Sequence, residues 1–279
     1  MMNEQSGLPN LLLSRLTMTA TLAALRGGAV LKRKFGTPLH TTNKEGAHNL
    51  VTEADTETEE IMITFIKGLF PDHTFLAEES GLSGEHKDTI RWIIDPLDGT
   101  VNYSHGIPMF STSIAAVFRN EVLTGVIYQP LLNELFVAEK GNGAYLNGER
   151  IRVTETEVLD SAISAMGFPY NTHENPLSCL DLFTSFAKMG LPLRRIGSAA
   201  LDLAYVAAGR FDLFWEVSLC PWDYAAGKLI VEEAGGTFSN FEGTTYETLE
   251  PGSIVASNAV LHDQVLSNIR SVMQREGTP

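Results

Sequence analysis

The sequence predicts a mixed α+β fold, and three observations carry that expectation. Between Ser111 and Val153, short β-rich segments alternate with polar turns, the pattern of an antiparallel meander. After about Thr154, strand-like and helix-like segments alternate, as in an α/β unit. Ahead of the meander, two stretches repeat apolar residues at helical spacing. A chain of 279 residues is long enough for one large core or two closely packed ones. The change of pattern near Thr154 divides it into an N-terminal half, 1–153, and a C-terminal half, 154–279.

Residues 10–35 place Leu12, Leu16, Ala20, Ala23 and Val30-Leu31 on one helical face. Gly27-Gly28 interrupts that face at a cost of about 1 kcal/mol each against Ala, which implies a close neighbour. Residues 36–51 read as a polar loop with Lys44 near its middle. Thr52-Glu-Ala-Asp55 has the form of a helix N-cap, and Ile61, Met62, Phe65, Ile66 and Leu69 give the following helix a buried face. Phe75-Leu76-Ala77 reads as a strand ending on Glu78-Glu79, with Gly81 and Gly84 marking its exit. Trp92-Ile93-Ile94 is a second buried strand, expected to end at Asp95 because Pro96 cannot donate to a ladder. In the meander, hairpin turns are expected at Asn120-Glu121, Leu132-Asn133, Asn142-Gly143 and Asn147-Gly148. Further on, Ala162–Met166, Phe211–Glu216 and Ser253–Ala256 are strands. Helices are expected at Leu177–Lys188, from Ser198 to Gly209, from Pro221 to Gly235-Gly236, and at Val260–Met273.

Composition excludes several classes. The 34 acidic and 20 basic side chains leave a formal charge of −14, whereas a general nucleic-acid surface needs a basic face. No apolar run approaches the roughly 20 residues that span a bilayer. The first residues lack the basic segment of a signal peptide. Cys179 and Cys220 are the two cysteines and sit in no zinc or C-x-x-C spacing, so a reducing, cytoplasmic setting is expected. Gly141-x-Gly143 lacks the third glycine of a dinucleotide fingerprint. The seven His form no H-x-x-x-H pair and read as surface or structural residues.

The chemistry concentrates in Arg91-Trp-Ile-Ile-Asp-Pro-Leu-Asp-Gly-Thr-Val-Asn-Tyr103. Asp95 and Asp98 stand three residues apart on a tight turn, where they can converge on one point. Their like charges raise the cost of ionisation unless a cation sits between them. Leu97 can turn its carbonyl to the same point, and Gly99 and Thr100 offer N–H groups and a hydroxyl to phosphate oxygens. Oxygen ligands select Mg²⁺, Mn²⁺ or Ca²⁺ over zinc. Read locally, the turn is either half of a metal site or a polar turn closed by Asx hydrogen bonds. Glu78, at a neighbouring strand end, and Asp223, in the first turn of a helix, are the candidates for the missing ligands. Asp223 could equally be a dipole partner. Four carboxylates can hold two ions about 3.5–4 Å apart, with Asp55 and Thr100 placed to orient a water.

Asp95-Pro-Leu-Asp-Gly-Thr-Val-Asn-Tyr103 resembles the first signature of the inositol monophosphatase family. Pro221-Trp-Asp-Tyr-Ala-Ala-Gly227, continuing to Glu233-Ala-Gly-Gly236, resembles the second. Leu50-Val-Thr-x-x-Asp55, Ala77-Glu-Glu-Ser80 and Gly197-Ser-Ala-Ala-Leu-Asp202 match further family blocks in order, so the likeness spans roughly residues 10–270. Arg194 to Gly209 is most similar to the bacterial inositol-1-monophosphatase branch.

That resemblance implies an α-β-α-β-α layered fold and a lithium-sensitive, Mg²⁺-dependent phosphomonoesterase acting through a metal-activated water, usually as a homodimer. It implies that Glu78, Asp95 and the Leu97 carbonyl hold a first ion, and that Asp95, Asp98 and Asp223 hold a second. A weaker third ion would lie near Glu78, and Mn²⁺ is a possible substitute. Asp55 and Thr100 would align the water, and Gly99 and Thr100 would take phosphate. Gly197, Ser198, Ala199 and Glu216, with Asp223, fall where the family meets the alcohol part of the substrate, and Glu216 is the specificity position. Val101, Asn49 and Ser198 depart from common family residues without removing a ligand. The same mechanism on histidinol phosphate, fructose 1,6-bisphosphate or a 3′-phosphoadenosine nucleotide is the nearest rival. A protein-partner role with the transcription machinery is the rival from another class. Haloacid-dehalogenase chemistry is disfavoured, because the residue two before Asp98 is Pro96 rather than a nucleophilic Asp.

Overall fold

The computed structural model describes residues 10–38, 41–43, 50–84, 88–245 and 249–276; Lys44 and Asn49 lie outside them. The chain opens with α1 (Asn10–Lys34), a ribbon of β1 (Thr41–Asn43) and β2 (Leu50–Thr52), and α2 (Glu53–Leu69). Then come β3 (Thr74–Ala77), β4 (Gly81–Ser83), β5 (Arg91–Asp98) and the short α3 (Thr100–Ser104). The meander is β6 (Ser111–Phe118), β7 (Glu121–Gln129), β8 (Glu134–Glu139), β9 (Gly143–Leu146) and β10 (Glu149–Arg150). After it follow β11 (Ser164–Met166), α4 (Cys179–Lys188), β12 (Leu193–Arg194), α5 (Ala199–Ala207) and β13 (Leu213–Leu219). The chain closes with α6 (Pro221–Glu233), β14 (Gly236–Ser239), β15 (Gly252–Asn258) and α7 (His262–Glu276).

An eight-stranded sheet has the order β10-β9-β8-β7-β6-β5-β3-β4, and a five-stranded sheet the order β12-β11-β13-β15-β14. Leu16, Ala20, Met62 and Ile66 bury α1 and α2 against Trp92, Ile94 and Val126 of the larger sheet. On its other face, Ile93, Ala115 and Ile127 pack with Leu203 and Ala226 of α5 and α6, which also cover Phe214 and Ala256 of the smaller sheet. Phe186 of α4 and Ile269 of α7 close the outside of that sheet over Trp215 and Val255. The layers therefore run α-β-α-β-α, as expected.

Glycines set the spacing of these layers. A Cβ on Gly27 would stand 2.7 Å from the Met62 sulfur, and one on Gly28 would stand 2.5 Å from the Tyr128 ring. Those are the close neighbours that two helix-breaking residues implied. A Cβ on Gly125 of β7 would lie 2.6 Å from the Ala226 carbonyl, so this glycine lets α6 rest directly on the sheet.

Local expectations needed several corrections. The loop at 36–51 contains the β1–β2 ribbon, and the exit after Glu79 folds back as β4 on β3. The first meander turn is Arg119-Asn120, both with positive φ (48° and 67°), and Glu121 already belongs to β7. The positive φ pair gives the hairpin the twist its strands need. Leu177 and Ser178 also have positive φ, so α4 begins at Cys179 rather than Leu177. The two-residue β12 and the strand β14 are too short or too glycine-led to be read from periodicity.

Candidate active site

Side chains alternate along β5: Trp92 and Ile94 face α1 and α2, while Ile93 faces α5 and α6. Asp95 follows Ile93 and is carried to the same inter-sheet side. The strand does not stop there. Asp95 pairs with Ser113 and Asp98 with Ser111, so β5 carries one extra residue between them. Pro96 sits in this bulge, where its missing N–H costs no regular ladder bond, and the strand runs on to Asp98. The Asp95 carboxylate accepts the Leu97 amide at 2.9 Å. Gly99, with φ 96°, then starts α3. A Cβ on it would lie 2.9 Å from the Met109 carbonyl and 3.2 Å from that of Gly197, so the turn needs glycine for both angle and space. The Thr100 hydroxyl lies 3.0 Å from the Leu97 carbonyl and 3.1 Å from Asp55 Oδ1.

Asp55 is the N3 residue of α2, and its other oxygen accepts both the amide and the hydroxyl of the Thr52 cap. Asp223 holds the same position on α6, accepting the Cys220 amide at 2.7 Å. Ser113, the register partner of Asp95, donates to the Trp222 carbonyl and so ties the start of α6 to β6. Oxygens of Asp95, Asp98 and Asp223 consequently lie within 4.8 Å of one another. Glu78 is outside that trio but beside it. The parallel β3–β5 pairing ends at Ala77 and Ile94, the Glu78 amide donates to the Ile94 carbonyl, and its carboxyl hydrogen-bonds Asp95.

Burial, followed by the charges of Glu78, Asp98 and Asp223, pushes the Asp95 carboxyl well above the usual range. Burial does the same to Asp223, and raises Asp98 and Asp55 to about 6. Among the described residues no basic side chain opposes these groups, and a divalent cation is the partner that their oxygens and charge fit.

On the C-terminal side, Asp98 is cradled by the start of α5. Its Oδ2 accepts the Ser198 hydroxyl at 2.5 Å and the Ala200 amide at 2.8 Å, and the Ala199 amide contributes as well. Ser198, expected against the alcohol, is buried with its hydroxyl committed to Asp98. Gly197 is held by the Asn102 amide, which donates to the Met109 and Ile196 carbonyls. Glu216 shares the inter-sheet face of β13 with Phe214 and is 8% exposed. Its carboxylate lies over Gly167, where a Cβ would be 1.9 Å from Oε2. Burial first, and then Asp98, raises this acid to about 8, while Arg195 draws it down. The Arg195 guanidinium rests 5.4 Å from the Phe168 ring. Asp202 is buried nearby, with one oxygen that no hydrogen bond reaches among the described residues.

All the anticipated acids thus meet in one region between the layers. Sequence reasoning assigned no role to Glu59, Ser113 or Gly167, and Asn102, Arg195 and Asp202 stood out only as members of the family blocks. Of the first three only Glu59 left a signal, an acid on the same helical stripe as Met62 and Ile66.

The profile of the inositol monophosphatase family matches residues 12–274. The Nus factor SuhB of Escherichia coli (strain K12) is 41% identical over 253 residues, covering 90% of this chain and 94% of that protein. The inositol-1-monophosphatase of Mesorhizobium japonicum is 40% identical over 252 residues, covering 89% and 93%. Among solved structures, the extragenic suppressor protein suhB from Bartonella henselae superposes with a TM-score of 0.86 at 38% identity, over 92% of this chain and 98% of that one.

Proposed function

This chain belongs to the inositol monophosphatase family and is a phosphatase, and from that premise we propose that it hydrolyses inositol monophosphates to inositol and phosphate with Mg²⁺. The observation that carries the reading is the convergence of Asp95, Asp98 and Asp223, with Glu78 beside them and a Thr100–Asp55 pair at the rim. Glu78, Asp95 and the Leu97 carbonyl would hold one ion and Asp95, Asp98 and Asp223 a second, with a third, weaker position near Glu78. Bound there, divalent ions supply positive charge that polarises the phosphoryl group and makes a water acidic.

The protein's own groups do the rest. Thr100 Oγ1 and Asp55 Oδ1 aim the attacking water, and Asp55 receives its proton. The Gly99 and Thr100 amides hold the phosphate oxygens. The bond from phosphorus to the alcohol oxygen breaks as the bond to the water oxygen forms, and the alkoxide takes a proton from solvent. Glu216, with the Gly197 and Ala199 backbone, faces the alcohol. A polyol suits this buried acid, which can accept hydrogen bonds from its hydroxyls.

Phosphate release from inositol 1-phosphate, histidinol phosphate, fructose 1,6-bisphosphate and a 3′-phosphoadenosine nucleotide tests this reading. Inositol 1-phosphate should lead, Mg²⁺ or Mn²⁺ should be required, and Li⁺ should inhibit. A wide preference for histidinol phosphate would remove the inositol assignment.

A homodimer and a cytoplasmic location belong to the same reading. The first is supported by the exposed apolar side chains of Tyr170, Leu177, Leu180 and Phe183 on one short segment, and a monomeric mass by light scattering would refute it. The second is supported by two cysteines that are not joined in a disulfide, and by the fact that no helix among the described residues is long and apolar enough to cross a membrane. Recovery of the tagged protein outside the cytoplasmic fraction would refute it. The likeness to Nus factors favours a second role with a transcription partner. Failure to co-purify with RNA polymerase or its elongation factors would count against that role.

A further inference from the structure

Helix α2 carries a buried acid that neither its cap nor its packing explains. Glu59 lies one turn beyond Asp55, is 5% exposed, and makes no ion pair among the described residues. A buried carboxylate without a cation is costly unless hydrogen bonds satisfy it. Here two backbone amides do so. Glu59 Oε2 accepts the Glu79 amide at 2.9 Å, and Oε1 accepts the Ser80 amide at 2.9 Å. Those amides belong to the turn leaving β3, which begins at Glu78, whose own amide is held by the Ile94 carbonyl. The turn is therefore fixed at three successive residues, two of them by a single side chain.

We infer that Glu59 is a positioning residue for the metal centre: through the Glu79 and Ser80 amides it holds the Glu78 carboxylate against Asp95, and so sets the affinity for the ion. The inference rests on the proposed ligand role of Glu78. Asp55 and Glu59 stand four residues apart on one helix face. One rigid element thereby registers the Thr100 side of the site and the Glu78 side together.

Glu59→Gln keeps the volume but presents one acceptor and one NH₂ group, and that NH₂ group must face an N–H. Calorimetric titration of EDTA-stripped protein with Mg²⁺, alongside the Mg²⁺ dependence of turnover, reads the effect. The apparent dissociation constant and the half-saturating Mg²⁺ should both rise about tenfold or more, the range typical of residues that support a ligand. kcat at saturating Mg²⁺ should stay close to wild type, and thermal unfolding should remain cooperative. Glu57→Gln removes a part-exposed carboxylate of the same helix, paired with Arg33 and Lys34, and should leave Mg²⁺ binding unchanged. Wild-type Mg²⁺ affinity in Glu59→Gln would overturn the inference. So would loss of cooperative unfolding, which would make Glu59 a folding residue. If the wild-type protein itself takes up no Mg²⁺, the metal reading of the site falls first and this inference falls with it.

Discussion

The two sheets meet the site through the same local device. In the larger sheet, β5 has a parallel neighbour, β3, on one side and an antiparallel one, β6, on the other, and one extra residue follows Asp95. In the smaller sheet, β13 has parallel β11 and antiparallel β15, and one extra residue follows Glu216. Each bulge bends its strand just after an acid and aims that acid between the layers. The residues beside the two acids differ. At the end of β3 the neighbour is a second acid, Glu78. At the end of β11 it is Gly167, and the Glu216 carboxylate fills the place a side chain would take there. The acids packed around Asp95 call for a cation, whereas Glu216, with Asp202 nearby and Arg195 drawing it down, suits a hydroxyl-bearing ligand. One frame thus supplies both the charge-dense end of the site and the end that reads the alcohol.

The largest test removes the charge-dense end. Asp98→Asn should weaken Mg²⁺ binding and lower turnover by about a hundredfold or more, beyond the 10–100-fold of supporting residues, with the fold intact by circular dichroism. Near-wild-type activity would break the assignment of that end to metal. The second test acts on the other bulge. Gly167→Ala places a Cβ where Glu216 Oε2 now lies, so KM for inositol 1-phosphate should rise about tenfold, roughly the 1–3 kcal/mol of a disturbed hydrogen-bonding partner, while kcat changes less. A fall in kcat at constant KM would place Gly167 with the chemistry instead.

The smallest effect is on stability and compares both ends at once. Glu216 is raised from 4.5 to about 8, and Asp98 and Asp55 from 3.8 to about 6. A carboxyl raised on folding binds more protons in the native state than in the unfolded one, so its contribution is complete below the ordinary value and is lost as pH rises through the folded value. In EDTA, the melting temperature should therefore fall between about pH 4 and pH 8, first through the metal end and then through Glu216. Mg²⁺ should offset the loss at the metal end most strongly at high pH, where it no longer competes with protons. A melting temperature that climbs with pH in EDTA would contradict the burial of these acids.

Much of the fold was legible because it depends on short-range rules. The Thr52–Asp55 cap, the opening of α6 at Pro221 and the Asn147-Gly148 turn each follow from neighbours within four residues. The Asp95–Thr100 turn was legible for the same reason. Its bulge was not, because Pro96 reads locally as a stop, and only the pairing with β6 carries the strand past it. Ser198 shows the same limit: its hydroxyl looked available to a ligand until Asp98 was packed beside it.

The sequence by itself determined which residues could act: the acids at strand and helix ends, the glycine turn, and the order of the family blocks. Tertiary structure decided which of them meet. Asp223 reaches Asp95 only because Gly125 lets α6 rest on the sheet and Ser113 anchors its first turn. Glu216 has space because Gly167 lies beneath it, and the turn that follows Glu78 is held because Glu59 of α2 accepts the Glu79 and Ser80 amides. These contacts join residues about twenty to over a hundred positions apart, and periodicity, caps and turn chemistry act over only a few.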